Sequence, residues 1–188
     1  MDNKIIGITG AFGSGKSTAA AFFELRGFKK IILSRFLEDE ARNRGIKEIT
    51  RKVLQDIGNE WREKYGVSVL ADKVLAKSYS KNFDKVVADG IRNVGEIEKL
   101  RNSHSFTLVA ILSDRKTRFE RLEKLRRREN LTWELFEKLD IRDAGDGERE
   151  TGLQVDKCIS MADYVIENNG SKEEFNKKLK VFLETHGK

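Results

Sequence analysis

The chain has 188 residues, a size for one domain, with 37 Lys+Arg against 31 Asp+Glu and a formal net charge of +6. That excess sits in residues 115–128, eight basic against two acidic, so the remainder is balanced and a uniformly basic nucleic-acid coat is excluded. One cysteine, no proline and no long apolar run exclude an internal disulfide, a proline-rich linker and a membrane span, and suit a cytoplasmic protein without a signal peptide.

The first apolar run, Ile5-Ile6-Gly7-Ile8, leads into Gly10-Ala11-Phe12-Gly13-Ser14-Gly15-Lys16-Ser17-Thr18, and a helical pattern continues to Leu25. Strand, GxxxxGK[ST] loop and helix is the order of a P-loop. Its glycines let successive backbone N–H groups turn into one concavity, to which the helix start adds its own unpaired N–H groups. Lys16 then reaches the β- and γ-phosphates of ATP, and the Ser17 hydroxyl can hold Mg²⁺.

Gly27 stops this helix, and 29–34 reads as a short buried strand. Helices follow at 36–44, 49–65 and 68–79. Trp61 and Tyr65 are better placed in helical packing than against a ligand. A strand over 84–88 ends at Asp89-Gly90, and 94–102 is helical. The strand 106–112 is the most regular in the chain. Asp114 caps a long basic helix to about Arg128, Thr132 opens another with Trp133 and Phe136 on its apolar side, and the glycine-rich, charged stretch 144–151 reads as a mobile loop. A last strand, 163–167, and a last helix, 172–185, complete the order. Alternating strands and helices imply a five-stranded parallel sheet covered on both faces, α/β/α in three layers, with helices between the second and third strands as an insertion over 34–79. No internal repeat or linker divides 1–188.

In such a sheet, ligands lie beyond the carboxyl ends of the strands. The P-loop, Ser34, Arg35, Asp89 and Arg92 all fall there. Asp89 suits a carboxylate that holds a Mg²⁺-bound water or orders Lys16. Arg92 suits bidentate binding of an acceptor phosphate, against the plainer reading of a surface pair with Glu96. A lid over about 126–152, bearing Arg126, Arg127, Arg128 and Arg142, would bring cations to the developing charge and exclude water. Cys158 reads as a small apolar residue, and His104 and His186 as surface residues without a role.

Three stretches carry a resemblance across nearly the whole chain: 6–18, Val87-Ala88-Asp89-Gly90-Ile91-Arg92-Asn93 with Glu96, and Ala162-Asp163-Tyr164-Val165-Ile166-Glu167-Asn168-Asn169-Gly170-Ser171. The chain resembles the nucleoside monophosphate kinase group of P-loop proteins, including the dephospho-CoA kinase-like, adenylate kinase-like and deoxynucleoside monophosphate kinase types. The resemblance implies ATP and Mg²⁺ as partners in phosphoryl transfer, and Asn169 and Gly170 near the adenine. Dephospho-CoA kinases usually carry an aspartate pair after the second strand, whereas this chain reads Ser34-Arg35-Phe36. A nucleotide monophosphate is already an anion and needs cations rather than a base, so the substitution leans towards a (deoxy)nucleoside monophosphate acceptor. Arg35, Arg42 and Arg92 are the candidates to hold that phosphate. A dephospho-CoA kinase, a kinase acting on nucleic acid and a nucleotide-binding switch are the alternatives.

Overall fold

In the computed structural model, which describes residues 4–103, 105–125 and 130–186, five strands form one parallel sheet in the order β2-β3-β1-β4-β5. The strands are β1 (Lys4–Thr9), β2 (Lys29–Ile32), β3 (Lys85–Asp89), β4 (Ser105–Leu112) and β5 (Tyr164–Glu167). The helices are α1 (Lys16–Glu24), α2 (Leu33–Asn43), α3 (Arg51–Tyr65), α4 (Val69–Ser80), α5 (Val94–Arg101), α6 (Arg115–Leu125), α7 (Trp133–Ala144), α8 (Val155–Ser160) and α9 (Lys172–His186).

β1 lies at the centre, and its side chains divide by alternation. Ile5 joins the cluster formed with α2, α3, α4, α5 and α8, whereas Ile6 and Ile8 join the cluster formed with α1 and α9. Both faces of the sheet are therefore covered, giving the three-layer α/β/α architecture expected from the alternating elements. At Gly7 this packing leaves no room for a side chain: a Cβ there would meet Ile91 Cδ1 at 2.6 Å and the Phe106 ring at 2.7 Å.

The helix ends follow local chemistry. Thr50 caps α3 by accepting from Val53 N at 3.2 Å, and Asn93 and Glu96 form a reciprocal capping box on α5. Thr132 caps α7 as expected, accepting from Leu135 N at 3.2 Å. Gly145 ends α7 at φ 110°. Trp133 stays partly exposed while meeting Phe119 edge to face and lying tilted against Phe136; Phe136 is buried. A third, smaller apolar cluster joins Phe12 of the P-loop to Phe136 and Leu139 of α7.

Several expectations need correction. β2 ends at Ile32, so Ser34 and Arg35 stand in the first turn of α2 rather than on a strand end. The helix α8 has no counterpart among the expected elements: six residues carry too little periodicity to declare themselves. The stretch 144–151 is anchored rather than loose, because Asn93 Nδ2 donates to Glu150 O at 2.9 Å and Gly152 O at 2.8 Å, and Gln154 N donates to Arg92 O at 2.8 Å. Trp61 is buried, whereas Tyr65 is 57% exposed and belongs to no core. His186 is half-buried against Tyr164 and Phe182. His104, Arg126, Arg127 and Arg128 lie outside the described residues. Cys158 is fully buried, which pushes its thiol up to about 12 and leaves it inert.

Candidate active site

The site begins where β1 runs into α1. Gly10, Gly13 and Gly15 have φ of 133°, 83° and 105°, which L side chains rarely adopt. Space demands glycine as well as conformation. A Cβ at Gly13 would meet Arg118 O at 2.9 Å, one at Gly10 would strike Ile111 O, and one at Gly15 would strike Asn168 Nδ2. The concavity is thus lined by backbone, and Gly15 is the N-cap of α1, with no side-chain cap over the helix's first N–H groups. Ser14 is fully buried in this loop and its Oγ has no hydrogen-bond partner. Ala11 and Phe12 complete the loop; Phe12 is buried against Phe136, ring centroids 5.2 Å apart, while Thr18 on α1 is exposed.

Lys16 is buried, and its Nζ donates to the loop carbonyls of Gly10 at 2.6 Å and Ala11 at 2.8 Å. Ser17 Oγ donates to Asp89 Oδ2 at 3.2 Å, so the P-loop serine and the acid ending β3 meet as the sequence suggested. Burial holds Lys16 well below the usual lysine range, Arg92 adding to the effect, and holds Asp89 above the usual carboxylate range against the pull of Lys16. Both groups are pressed towards their neutral forms. A polyphosphate beside Lys16 and a cation beside Asp89 would reverse both tendencies, so the residues fit these ligands.

Arg92 follows β3 on the loop that faces the P-loop. Its side chain forms an ion pair with Asp143 of α7, which is fully buried. Its backbone N–H, not its guanidinium, reaches Glu96, donating to Oε2 at 2.9 Å. Burial lowers the Arg92 pKa, and the guanidinium groups of Arg51 and Arg62 push it the same way. Asp89 and Glu96 pull it back up, and Asp143 stands against the guanidinium as its ion-pair partner.

Arg51 is the residue that sequence reasoning missed. It occupies the first position of α3, with its guanidinium carbon 4.3 Å from the centroid of the Phe12 ring, and it repels both Lys16 and Arg92. The available signal was a local misfit: a cation directly after a threonine N-cap opposes the helix dipole and needs another reason to be there. Arg118 was missed too. From α6 it is buried under the P-loop, donating to Phe12 O at 3.2 Å and Ser113 O at 3.0 Å, with both guanidinium arms on Asp140 of α7. Arg62 is 1% exposed and donates twice to Glu96, at 2.8 and 3.0 Å, tying α3 to α5 behind Arg92.

Other candidates are placed elsewhere. Arg42 is exposed on α2 and pairs with Asp39 at 2.9 Å and Glu38 at 3.6 Å. Arg35 is exposed in the same helix, with Ser34 half-buried beside it. Arg142 bridges α7 to α3, reaching Asp56 at 2.6 Å and Glu148 at 2.7 Å; it acts as a clasp between elements. After β5, Asn169 Oδ1 accepts from Asp114 N at 2.9 Å and is exposed. Its neighbour Asn168 is the one that touches the P-loop, donating to Ser14 O at 2.8 Å. Gly170, Asn168, Gly15 and Thr18 border a cleft of 1060 Å³ that runs from the P-loop towards Lys172.

No family model matches the chain. In structure it is similar to shikimate kinase from Acinetobacter baumannii, with a TM-score of 0.59, 19% identity and coverage of 99% of this chain and 96% of that one. It is likewise similar to dephospho-CoA kinase from Campylobacter jejuni, with a TM-score of 0.54, 19% identity and 97% of each chain covered. These likenesses give the fold, which is that of P-loop kinases. In sequence the chain is 33% identical to a UPF0200/UPF0201 protein of Archaeoglobus fulgidus over 97% of its own length, but spans only 56% of that relative. It is 31% identical to a UPF0200 protein of Thermococcus kodakarensis, with 96% of each chain covered. With a glycine cradle on a P-loop kinase fold and full-length likeness to such relatives, the chain belongs to the UPF0200 family.

Proposed function

We propose that this protein is an ATP- and Mg²⁺-dependent kinase that moves the γ-phosphoryl group to a small nucleotide-like acceptor, a (deoxy)nucleoside monophosphate. The observation that carries the reading is the grouping of cations around the P-loop. Arg51 and Arg92 repel Lys16 and each other, while Ser17 and Asp89 sit together on the same rim. Two anions, one at the P-loop and one between Arg51 and Arg92, would neutralise that arrangement.

The chemistry asks little more of the protein. ATP phosphates lie in the loop 10–18, and Lys16 exchanges its bonds to Gly10 O and Ala11 O for phosphate oxygens. Ser17 and Asp89 would hold Mg²⁺, which supplies charge neutralisation at the β- and γ-oxygens. An acceptor phosphate oxygen attacks the γ-phosphorus, the bond to the β,γ-bridging oxygen breaks, and ADP leaves. The acceptor phosphate has a second pKa near 6 and is largely dianionic at neutral pH, so no base is required. This agrees with Leu33, Ser34 and Arg35 following β2, where no carboxylate is available. Asn168 and Gly170 border the nucleotide side, and residues 34–79 wall the acceptor.

Steady-state ATP consumption with a panel of ribo- and deoxyribonucleoside monophosphates, and with dephospho-CoA, tests the reading. Turnover with one monophosphate well above the ATP-only rate is expected. Turnover with dephospho-CoA alone, or with none, contradicts it.

A further inference from the structure

On α3, Arg51, Gln55 and Asn59 recur every four residues, so they share one face at steps of about 6 Å. Arg51 stands at the P-loop end of that face, over Phe12. Gln55 is 4% exposed, yet its carboxamide is almost idle. Nε2 donates one long bond, 3.4 Å, to Leu139 O of α7, and Oε1 has no partner. A methionine of similar volume would pack there without the desolvation penalty that an idle amide carries. The surrounding groups say what the amide faces. Leu139 and Asp143 are one turn apart on α7; the first receives Gln55 and the second holds Arg92. Arg92 is in turn felt by Arg51 and Arg62, which flank Gln55 on α3. Oδ1 of Asn59 also lacks a hydrogen-bond donor. The seam between α3 and α7 therefore has cations at its P-loop end and buried, unused hydrogen-bonding groups behind them.

Resting on the kinase reading above, we propose that Gln55 reads the base of the acceptor. With the acceptor phosphate between Arg51 and Arg92, the Gln55 carboxamide meets a heterocycle edge that offers an N–H donor beside an acceptor. Such a pair matches an amide bidentately, as asparagine and glutamine match adenine elsewhere. The weak bond to Leu139 is exchanged for the ligand's. Gln55 thereby separates nucleoside monophosphates from plain sugar phosphates.

The test is direct binding, by calorimetry, of adenosine, cytidine, guanosine and uridine monophosphates and of ribose 5-phosphate to the wild type and to Gln55→Met and Gln55→Glu. The wild type is expected to bind at least one monophosphate about tenfold or more tighter than ribose 5-phosphate. Gln55→Met should lose about that factor for the monophosphate, with ribose 5-phosphate and ATP binding unchanged. Gln55→Glu, which keeps an accepting oxygen but loses the donor, should change the order of preference among the bases. Equal losses for every probe would mark a merely structural glutamine and overturn the inference. A wild-type preference that survives in both variants would overturn it while leaving the kinase reading intact. A wild type that binds no monophosphate better than ribose 5-phosphate overturns both.

Discussion

The P-loop side of the rim is built from neighbours in sequence, and the proposed acceptor side from residues as distant as Arg51 and Asp143. On the first side, glycines, Lys16, Ser17 and the uncapped start of α1 lie within nine positions, from 10 to 18. On the second, α3, the loop after β3 and α7 all contribute charged groups, and the seam between α3 and α7 keeps buried polar atoms without partners. A cradle of backbone can be specified by glycine spacing alone, whereas a charged pocket needs long-range ion pairs to hold its cations in place. The two sides should consequently respond differently to substitution.

The largest effect is expected on the nucleotide side. Lys16→Ala should lower kcat by about 10²-fold or more, the scale of losing a preorganised charge at the transition state. Its melting temperature should stay level or rise, since the ligand-free protein buries a lysine that burial pushes towards neutrality. Calorimetric melting beside steady-state rates would check both. Next is Arg62→Met on the acceptor side. It leaves Glu96 buried without its cation and should cost about 3–5 kcal/mol by denaturant unfolding. Removing Glu96 as well should recover only part of that, because Glu96 also accepts the N–H groups of Arg92 and Asn93.

A finer contrast separates two adjacent asparagines. Asn168→Ala strips Ser14 O of its donor and should cost about 1–3 kcal/mol, with weaker nucleotide binding. Asn169→Ala, at an exposed position, should stay within about 0.5 kcal/mol. Equal costs would dissolve the distinction. The smallest effect concerns the clasp. Burial works to raise the Asp56 pKa, but hydrogen bonds from Lys52 and Arg142 prevail and hold it below its usual value of 3.8. Its contribution is therefore complete above about pH 4 and lost as pH falls through the lowered value. Asp56 is half-exposed, so Asp56→Asn should change stability at neutral pH by a few tenths of a kcal/mol at most. The gap between wild type and variant should close in unfolding curves taken below about pH 4.

The P-loop was legible because its physics is local. Glycine spacing, a lysine and a hydroxyl at a helix start have few other uses, and the strand ends that carry Asp89 and Arg92 follow from a parallel sheet. Arg51, Arg62, Arg118 and Asp143 were not legible in the same way. Each is one charge among many in a chain that is 36% charged; burial distinguishes Arg62, Arg118 and Asp143, and the place over Phe12 distinguishes Arg51, only once the helices are packed. Arg42 illustrates the converse. It stands in the expected insertion yet makes i,i+3 and i,i+4 pairs along its own helix. The anchoring of 144–151 was hidden for a related reason: a glycine-rich, charged stretch looks loose until Asn93 is seen to hold the carbonyl of Glu150 and that of Gly152 just beyond it.

The most direct measurement follows the label from γ-labelled ATP in the presence of the monophosphate that the protein turns over fastest. The account predicts label on the β-phosphate of the corresponding diphosphate, lost in Lys16→Ala. Label found only in inorganic phosphate, or remaining in ATP with every acceptor, would contradict it.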